Sequence, residues 1–220
     1  MQKFPDINNK ELFTKAFTHR SYLNEAKKPM ESNERMEFLG DSILSFVISE
    51  HLFNTYPAFN EGILTNLRSL VVNTKSLAKE AHTLDFGQYL LLSKGEEESK
   101  GRKSDSILAN TFEAFIGALY IDQGITGVKK FLEDTIIPHI KEHVESNVFK
   151  DPKSLLQENI QAKKQNSPIY KVLKEEGPPH AKIFTIGVFI ENQNLGVGTG
   201  HTKQEAEEHA AEQALEKIGK

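Results

Sequence analysis

The run NERMEFLGDSIL (residues 33–44) places Glu34, Glu37 and Asp41 at i, i+3 and i+7 of a stretch with helical periodicity, so three carboxylates share one helix face. Three negative charges at that spacing repel one another unless a cation sits among them. The opposite face carries Met36, Leu39, Ile43, Phe46 and Val47, and the line of the acids continues into Leu44, Ile48 and Leu52. Beyond Asp41 the helix is apolar nearly all round, whereas a merely solvated acidic face would stay polar along its length. The pattern favours a divalent-cation site over a solvated face.

A second polar pair, Asn110 and Glu113, stands at i, i+3 in ILANTFEAFIGALYID (107–122), among Ile107, Leu108, Phe112, Phe115, Ile116 and Leu119. An unpaired carboxylate there would lose on the order of several kcal/mol in desolvation. Its partner is either an arginine such as Arg35 or Arg68, or a hard cation shared with the first acidic face. Oxygen donors of this kind suit Mg2+ or Mn2+ far better than zinc.

The elements that must position these groups follow from periodicity. Helical segments are predicted near 10–17, 32–55, 60–72, 74–83, 104–122 and 126–145, with punctuation at Tyr56-Pro57, a charged loop from Gly95 to Lys103, and Gly124. A polar stretch around 145–153 breaks the pattern. A short helix over 153–161, strands over 169–174, 183–190 and about 195–200, and an Ala-rich helix over 203–218 follow, with turns at Gly177-Pro178-Pro179 and at 192–194. The expected fold is an all-α domain over 1–148, then an α-β-β-β-α domain over 152–220.

The chain has 220 residues, 38% of them apolar, and a formal net charge of -4. Splitting it at residue 150 sets 18 basic against 21 acidic residues, then 9 against 10. Neither part is basic overall, so any affinity for nucleic acid must come from local patches. No cysteine is present, which excludes disulfides and thiolate metal sites. MQKFPDINNK carries no apolar signal segment and no apolar run is long enough to span a bilayer, so a cytoplasmic protein without membrane association is expected.

NERMEFLGDSIL resembles the ribonuclease III family motif, with its acid-x-x-acid-F-L-G-D core. THRSYLNE (18–25), YPAFNEGILTNLRSLVVN (56–73) and ILANTFEAFIGALYID lie in the order and spacing of that family's endonuclease domain. The C-terminal segment resembles the double-stranded-RNA-binding domain that follows it in the bacterial class. The resemblance implies an endoribonuclease that cuts double-stranded RNA as a homodimer, leaves 5'-phosphate and 3'-hydroxyl ends, and processes ribosomal precursors and messengers.

Carried over residue by residue, the resemblance places Glu37, Asp41 and Glu113 on metal-binding positions, with Asp41 and Glu113 catalytic, and Glu34 on a supporting acidic position. Asn110 falls where the family commonly has Asp, a loss of one negative charge that should weaken metal affinity. Mg2+, or Mn2+ in its place, is the implied cofactor, with no small-molecule cofactor. Phe38 falls on a dimer contact and Glu61 near the same interface. Ser154, Gln157, Glu158 and Gln161 fall on a minor-groove face, His180 in a loop entering the next minor groove, and Lys203 on a phosphate contact. The family's second basic residue is replaced by Gln204, with Lys163 and Lys164 as partial compensation. The alternative is a noncatalytic double-stranded-RNA-binding protein whose site Asn110 has disabled.

Two further features read as structural. His139 and His143, at i, i+4, lack a third ligand and are expected at a solvated helix end. GVGTGH (196–201) lacks the GKS/T ending of a phosphate loop and is expected to be a turn.

Overall fold

The computed structural model describes residues 4–146, 152–162, 166–178 and 181–218, and the chain divides between Phe149 and Lys150 into two compact units. The first unit is helical: α1 Lys10–Ala16, α2 Glu34–Thr55, α3 Glu61–Val71, α4 Thr74–Thr83, α5 Lys94–Glu98, α6 Asp105–Asp134 and α7 Ile137–Glu145. Asparagine side chains start three of these helices. Asn9 accepts from the amides of Glu11 and Leu12, Asn60 from Ile63, and Asn73 from Ser76, each satisfying donors that the first turn leaves without intrahelical partners.

The core of this unit is α2 against α6. Leu44, Ile48 and Leu52 from α2 are buried with Leu108, Phe112, Phe115, Ile116 and Leu119 from α6. The contact is close because glycines occupy the crossing. A Cβ on Gly40 would lie 1.8 Å from the Glu113 carbonyl oxygen, and one on Gly117 would lie 2.3 Å from the Met36 carbonyl oxygen. Phe4, Phe17, Phe86, Phe115 and Phe131 extend the core through ring contacts, with centroids 5.0–6.2 Å apart.

Two boundaries differ from expectation. Gly124 is non-helical (φ 68°) and divides α6 into two helices at a kink, as the punctuation there predicts; the departure is that the second of these ends at Asp134 and a further helix begins at Ile137. The segment expected as a charged loop contains α5 and a 3-10 turn at Gly101–Lys103, because Ser93 caps the amide of Glu96 and two acids sit in the first turn.

The second unit contains α8 Pro152–Ala162, strands β1 Ile169–Glu176, β2 Ile183–Ile190 and β3 Gln193–Gly200, and α9 Lys203–Ile218. The sheet is antiparallel in the order β1-β2-β3, and the β2–β3 turn falls at Glu191-Asn192, earlier than expected, with Glu191 at φ 54°. Leu156 and Ile160 of α8 join Val188, Leu195, Ala210, Ala211 and Ala214 in its core. GVGTGH is not a turn: Gly196, Gly198 and Gly200 lie in β3, where a Cβ on Gly198 would come within 2.3 Å of the α9 backbone at Ala206 and Ala210. The glycines of β3 and the alanines of α9 thus let helix and sheet approach at backbone distance.

Candidate functional site

The first turn of α2 is anchored from behind. Asn33, buried to 3% exposure, donates through its side chain to the Ala16 carbonyl (3.3 Å) and through its backbone to Thr18 (2.9 Å). The Thr18 segment is itself held by the His19 amide donating to the Leu91 carbonyl and the Leu91 amide donating to the Phe17 carbonyl. This fixes where Glu34 and Glu37 begin, and the glycine crossing brings Asp41 and Glu37 against Glu113 and Asn110 of α6.

Glu37 and Glu113 are partly buried, Asp41 and Glu34 exposed. Burial, then the charges of Asp41 and Glu37, push the Glu113 carboxyl up to about 7. Glu37 is also raised, first by burial and then by Glu34, while a hydrogen bond from the Asn110 side chain opposes the rise. The arginine alternative for Glu113 is not what forms: Arg68 donates to Ser49 Oγ (2.9 Å) and Arg35 acts on Glu31. The cation beside the cluster is Arg20, 3.6 Å from Glu34 and close enough to act on Glu37. The sequence pattern did not single it out, because its proximity comes from the 3-10 turn Arg20–Asn24 rather than from helical spacing.

Among the described residues, no three His, Asp or Glu side chains are drawn together as a ready-made ligand set; Glu37, Asp41 and Glu113 stand at repulsive range, with Glu37 turned to Asn110. The donor chemistry nevertheless fits a hard divalent cation: three carboxylates and one amide oxygen, on two helices locked at backbone contact, carrying more negative charge than the site neutralises.

Phe38 is 79% exposed beside the acids. Phe46, expected on the core face, is 57% exposed, and Phe53 is 70% exposed; at 100° per residue all three fall within about 80° of one another around α2. The correction to Phe46 is geometric: α2 is apolar over most of its circumference, so the wheel alone does not say which apolar edge lies against α6. Glu61 is exposed at the start of α3 and accepts from Thr65 Oγ1 (3.3 Å).

His139 is not at a solvated end. Its Nε2 lies 2.7 Å from Oε1 of buried Glu80 and its Nδ1 lies 3.2 Å from Glu142, so its ring is held between two carboxyl groups.

In the second unit Ser154, Gln157, Glu158 and Gln161 lie on the exposed side of α8, away from Leu156 and Ile160. Lys203 is exposed at the start of α9. That helix is opened by a reciprocal cap, in which Thr202 Oγ1 accepts from the Glu205 amide (3.1 Å) and Glu205 accepts from the His201 amide (2.7 Å). His180, Lys163 and Lys164 lie outside the described residues. No described helix is long and apolar enough to cross a membrane.

Residues 9–140 match the Ribonuclease-III-like family model and residues 152–218 the double-stranded RNA binding motif. The chain is 50% identical over 215 residues to ribonuclease 3 of Bacillus velezensis, covering 97% of this chain and 86% of that one. It is 48% identical over 213 residues to ribonuclease 3 of Geobacillus kaustophilus, covering 96% and 86%. Among solved structures, the nuclease domain of ribonuclease III from Campylobacter jejuni aligns with a TM-score of 0.56 at 37% identity, covering 61% of this chain and 88% of that one. Dicer from Pichia stipitis aligns with a TM-score of 0.51 at 26% identity, covering 96% of each. The chain belongs to the bacterial ribonuclease III family, a helical endoribonuclease domain followed by an α-β-β-β-α double-stranded-RNA-binding domain.

Proposed function

We propose that this double-stranded-RNA endoribonuclease hydrolyses phosphodiester bonds at the α2–α6 crossing, with Glu37, Asp41, Glu113 and the Asn110 side-chain oxygen holding Mg2+ or Mn2+ and Glu34 supporting from the rim. The observation that carries this reading is Glu113, a carboxyl pushed up to about 7 by burial and by two facing carboxylates, an arrangement that a bound dication turns from repulsion into ligation. When bound, the metal supplies a water activated at neutral pH and charge stabilisation for the departing 3' oxygen. The protein's own part is positional. The glycine crossing fixes the acids, Asn110 orients Glu37, and Arg20 limits the outward charge of Glu34. Hydrolysis on this pattern leaves 5'-phosphate and 3'-hydroxyl ends and needs no side-chain nucleophile.

One site cuts one strand, so cleavage of both strands calls for two copies related by symmetry. The exposed Phe38, Phe46 and Phe53 form an apolar strip of the kind that marks an interface, and we read it as the homodimer contact, with Glu61 at its edge. A described Campylobacter jejuni relative has a region involved in dimer formation in its nuclease domain. The division of labour follows the notional boundaries 1–148 for cleavage and 152–220 for RNA capture, the latter through Ser154, Gln157, Glu158, Gln161, His180 and Lys203. Ribosomal-precursor and messenger RNA processing in the cytoplasm is the corresponding cellular role.

The test is cleavage of a perfect RNA duplex with and without Mg2+, for the wild type and Glu113→Gln. Cleavage that requires Mg2+ and is abolished by Glu113→Gln, with RNA binding retained, is expected. Binding without cleavage by the wild type would leave the noncatalytic alternative, and near-normal cutting by Glu113→Gln would remove that residue from the site.

A further inference from the structure

At the end of the sheet where β1 turns into β2, Glu175 stands between two lysines. Its Oε2 lies 3.2 Å from Lys182 Nζ and its Oε1 lies 3.6 Å from Lys203 Nζ, so each oxygen of one carboxylate takes a different ammonium. The register explains the convergence. Glu175 pairs with Phe184, and Phe184 pairs with Gly200, so these three residues form one row across the sheet. A Cβ on Gly200 would meet the Ala206 amide nitrogen at 2.7 Å, which identifies the face of that row as the one covered by α9. Lys182 precedes Phe184 by two residues on the same strand side, and Lys203 arrives from α9. The Phe184 ring lies beneath both, its centroid 5.9 Å from Lys182 Nζ and 5.6 Å from Lys203 Nζ.

Two ammonium groups share one carboxylate here, which leaves a local charge of +1, and both lysine side chains remain open to solvent, at 44% and 58% exposure. The acids of α9 are directed to other partners: Glu205 accepts from the His201 amide, Glu207 pairs with Lys153, and Glu208 accepts from Gln204. That last contact also turns Gln204 along the helix, toward Glu208. The two lysines hold the Glu175 carboxyl below its usual range, which keeps it ionised and able to hold them together.

We propose that Lys182 is a second phosphate-binding cation of the RNA-binding domain, aligned with Lys203 by Glu175 so that the pair meets the RNA backbone together. This rests on the reading of Lys203 as a phosphate contact. Lys182 then supplies, from the residue just before β2, the cation that Gln204 does not supply from α9. The carboxylate between the two lysines sets their separation in advance, so less side-chain freedom is lost when phosphate arrives.

The experiment is the salt dependence of duplex-RNA binding by the full chain in EDTA, where no cleavage interferes, between 50 and 200 mM salt. Each lost phosphate contact lowers the slope of log affinity against log salt by roughly 0.9, which shrinks the affinity change over that range roughly 3.5-fold. Lys182→Gln and Lys203→Gln are each expected to show that reduction, and Lys182→Arg to keep the wild-type slope. The decisive variant is Glu175→Gln combined with Lys182→Gln, which has the wild-type net charge. Its slope is expected to stay reduced. A return to the wild-type slope would show that Lys182 acts only by neutralising Glu175, and an unchanged slope in Lys182→Gln would overturn the assignment directly. An unchanged slope in Lys203→Gln would instead overturn the reading of Lys203 on which the inference stands.

Discussion

Glu113→Gln should make the metal-free protein more stable while removing its activity. Glu113 is pushed from an ordinary 4.5 to about 7 by burial and by Asp41 and Glu37. At 1.36 kcal/mol per pKa unit that rise is worth about 3 kcal/mol, and the partly open site screens it to roughly 1.5–2 kcal/mol. Because the folded state holds this proton more tightly than the unfolded chain, Glu113 does not oppose folding below pH 4.5. Its penalty grows as pH rises, and is complete above about 7. A glutamine carries no such charge. In EDTA at pH 8 the variant's nuclease unit should therefore melt roughly 3–8 °C above the wild type, at about 2–4 °C per kcal/mol for a unit of this size. At pH 5 the difference should shrink to a degree or two. Scanning calorimetry of both proteins at the two pH values measures this, and added Mg2+ should raise only the wild type substantially. A variant less stable than wild type at pH 8, or a gap independent of pH, would show that the carboxylates do not face one another as the crossing of α2 and α6 requires.

Asn110→Asp adds a further negative charge and removes the amide that donates to Glu37; it should lower the melting temperature in EDTA and lower the Mg2+ concentration needed for half-maximal cleavage, and an unchanged or raised requirement would remove Asn110 from the ligand set. Gly40→Ala places a methyl 1.8 Å from the Glu113 carbonyl oxygen, so it should destabilise by about 3 kcal/mol or more and abolish cleavage, as denaturant titration and a cleavage assay would show. Phe38→Ala should weaken the dimer by about 2 kcal/mol, as for an aromatic anchor, which sedimentation at micromolar protein would reveal. A truncation ending near Val148 should cut duplex RNA at low salt and fail as ionic strength approaches physiological, and identical salt profiles with and without residues 152–220 would deny them a part in substrate capture.

What could be read from the sequence was whatever depends on spacing within one element. The acids of α2 lie where i, i+3 and i+7 put them, the polar pair of α6 sits amid apolar neighbours, and the order α-β-β-β-α follows from changes of period. Relations between elements were less legible. Gly40 and Gly117 look unremarkable in a helical pattern, yet they set the backbone contact that turns two acidic patches into one site. The glycines of β3 suggested a turn because glycine is usual in turns, whereas their role is to admit the alanines of α9, a reason that resides in the other partner. His139 reads as an exposed residue until Glu80 arrives from a helix 59 positions earlier.

Phe46 shows the limit most clearly. A helix apolar around most of its surface has more hydrophobic face than α6 can cover, and periodicity then predicts burial without deciding which residues receive it. Met36, Ile43 and Val47 are covered while Phe38, Phe46 and Phe53 are left outside. The excess is itself informative. Three phenylalanines exposed within about 80° of arc run along α2 from Phe38, beside the acids, to Phe53, about 22 Å further along the helix. The same surplus that misleads a one-chain wheel is thus the observation on which the proposed homodimer contact rests.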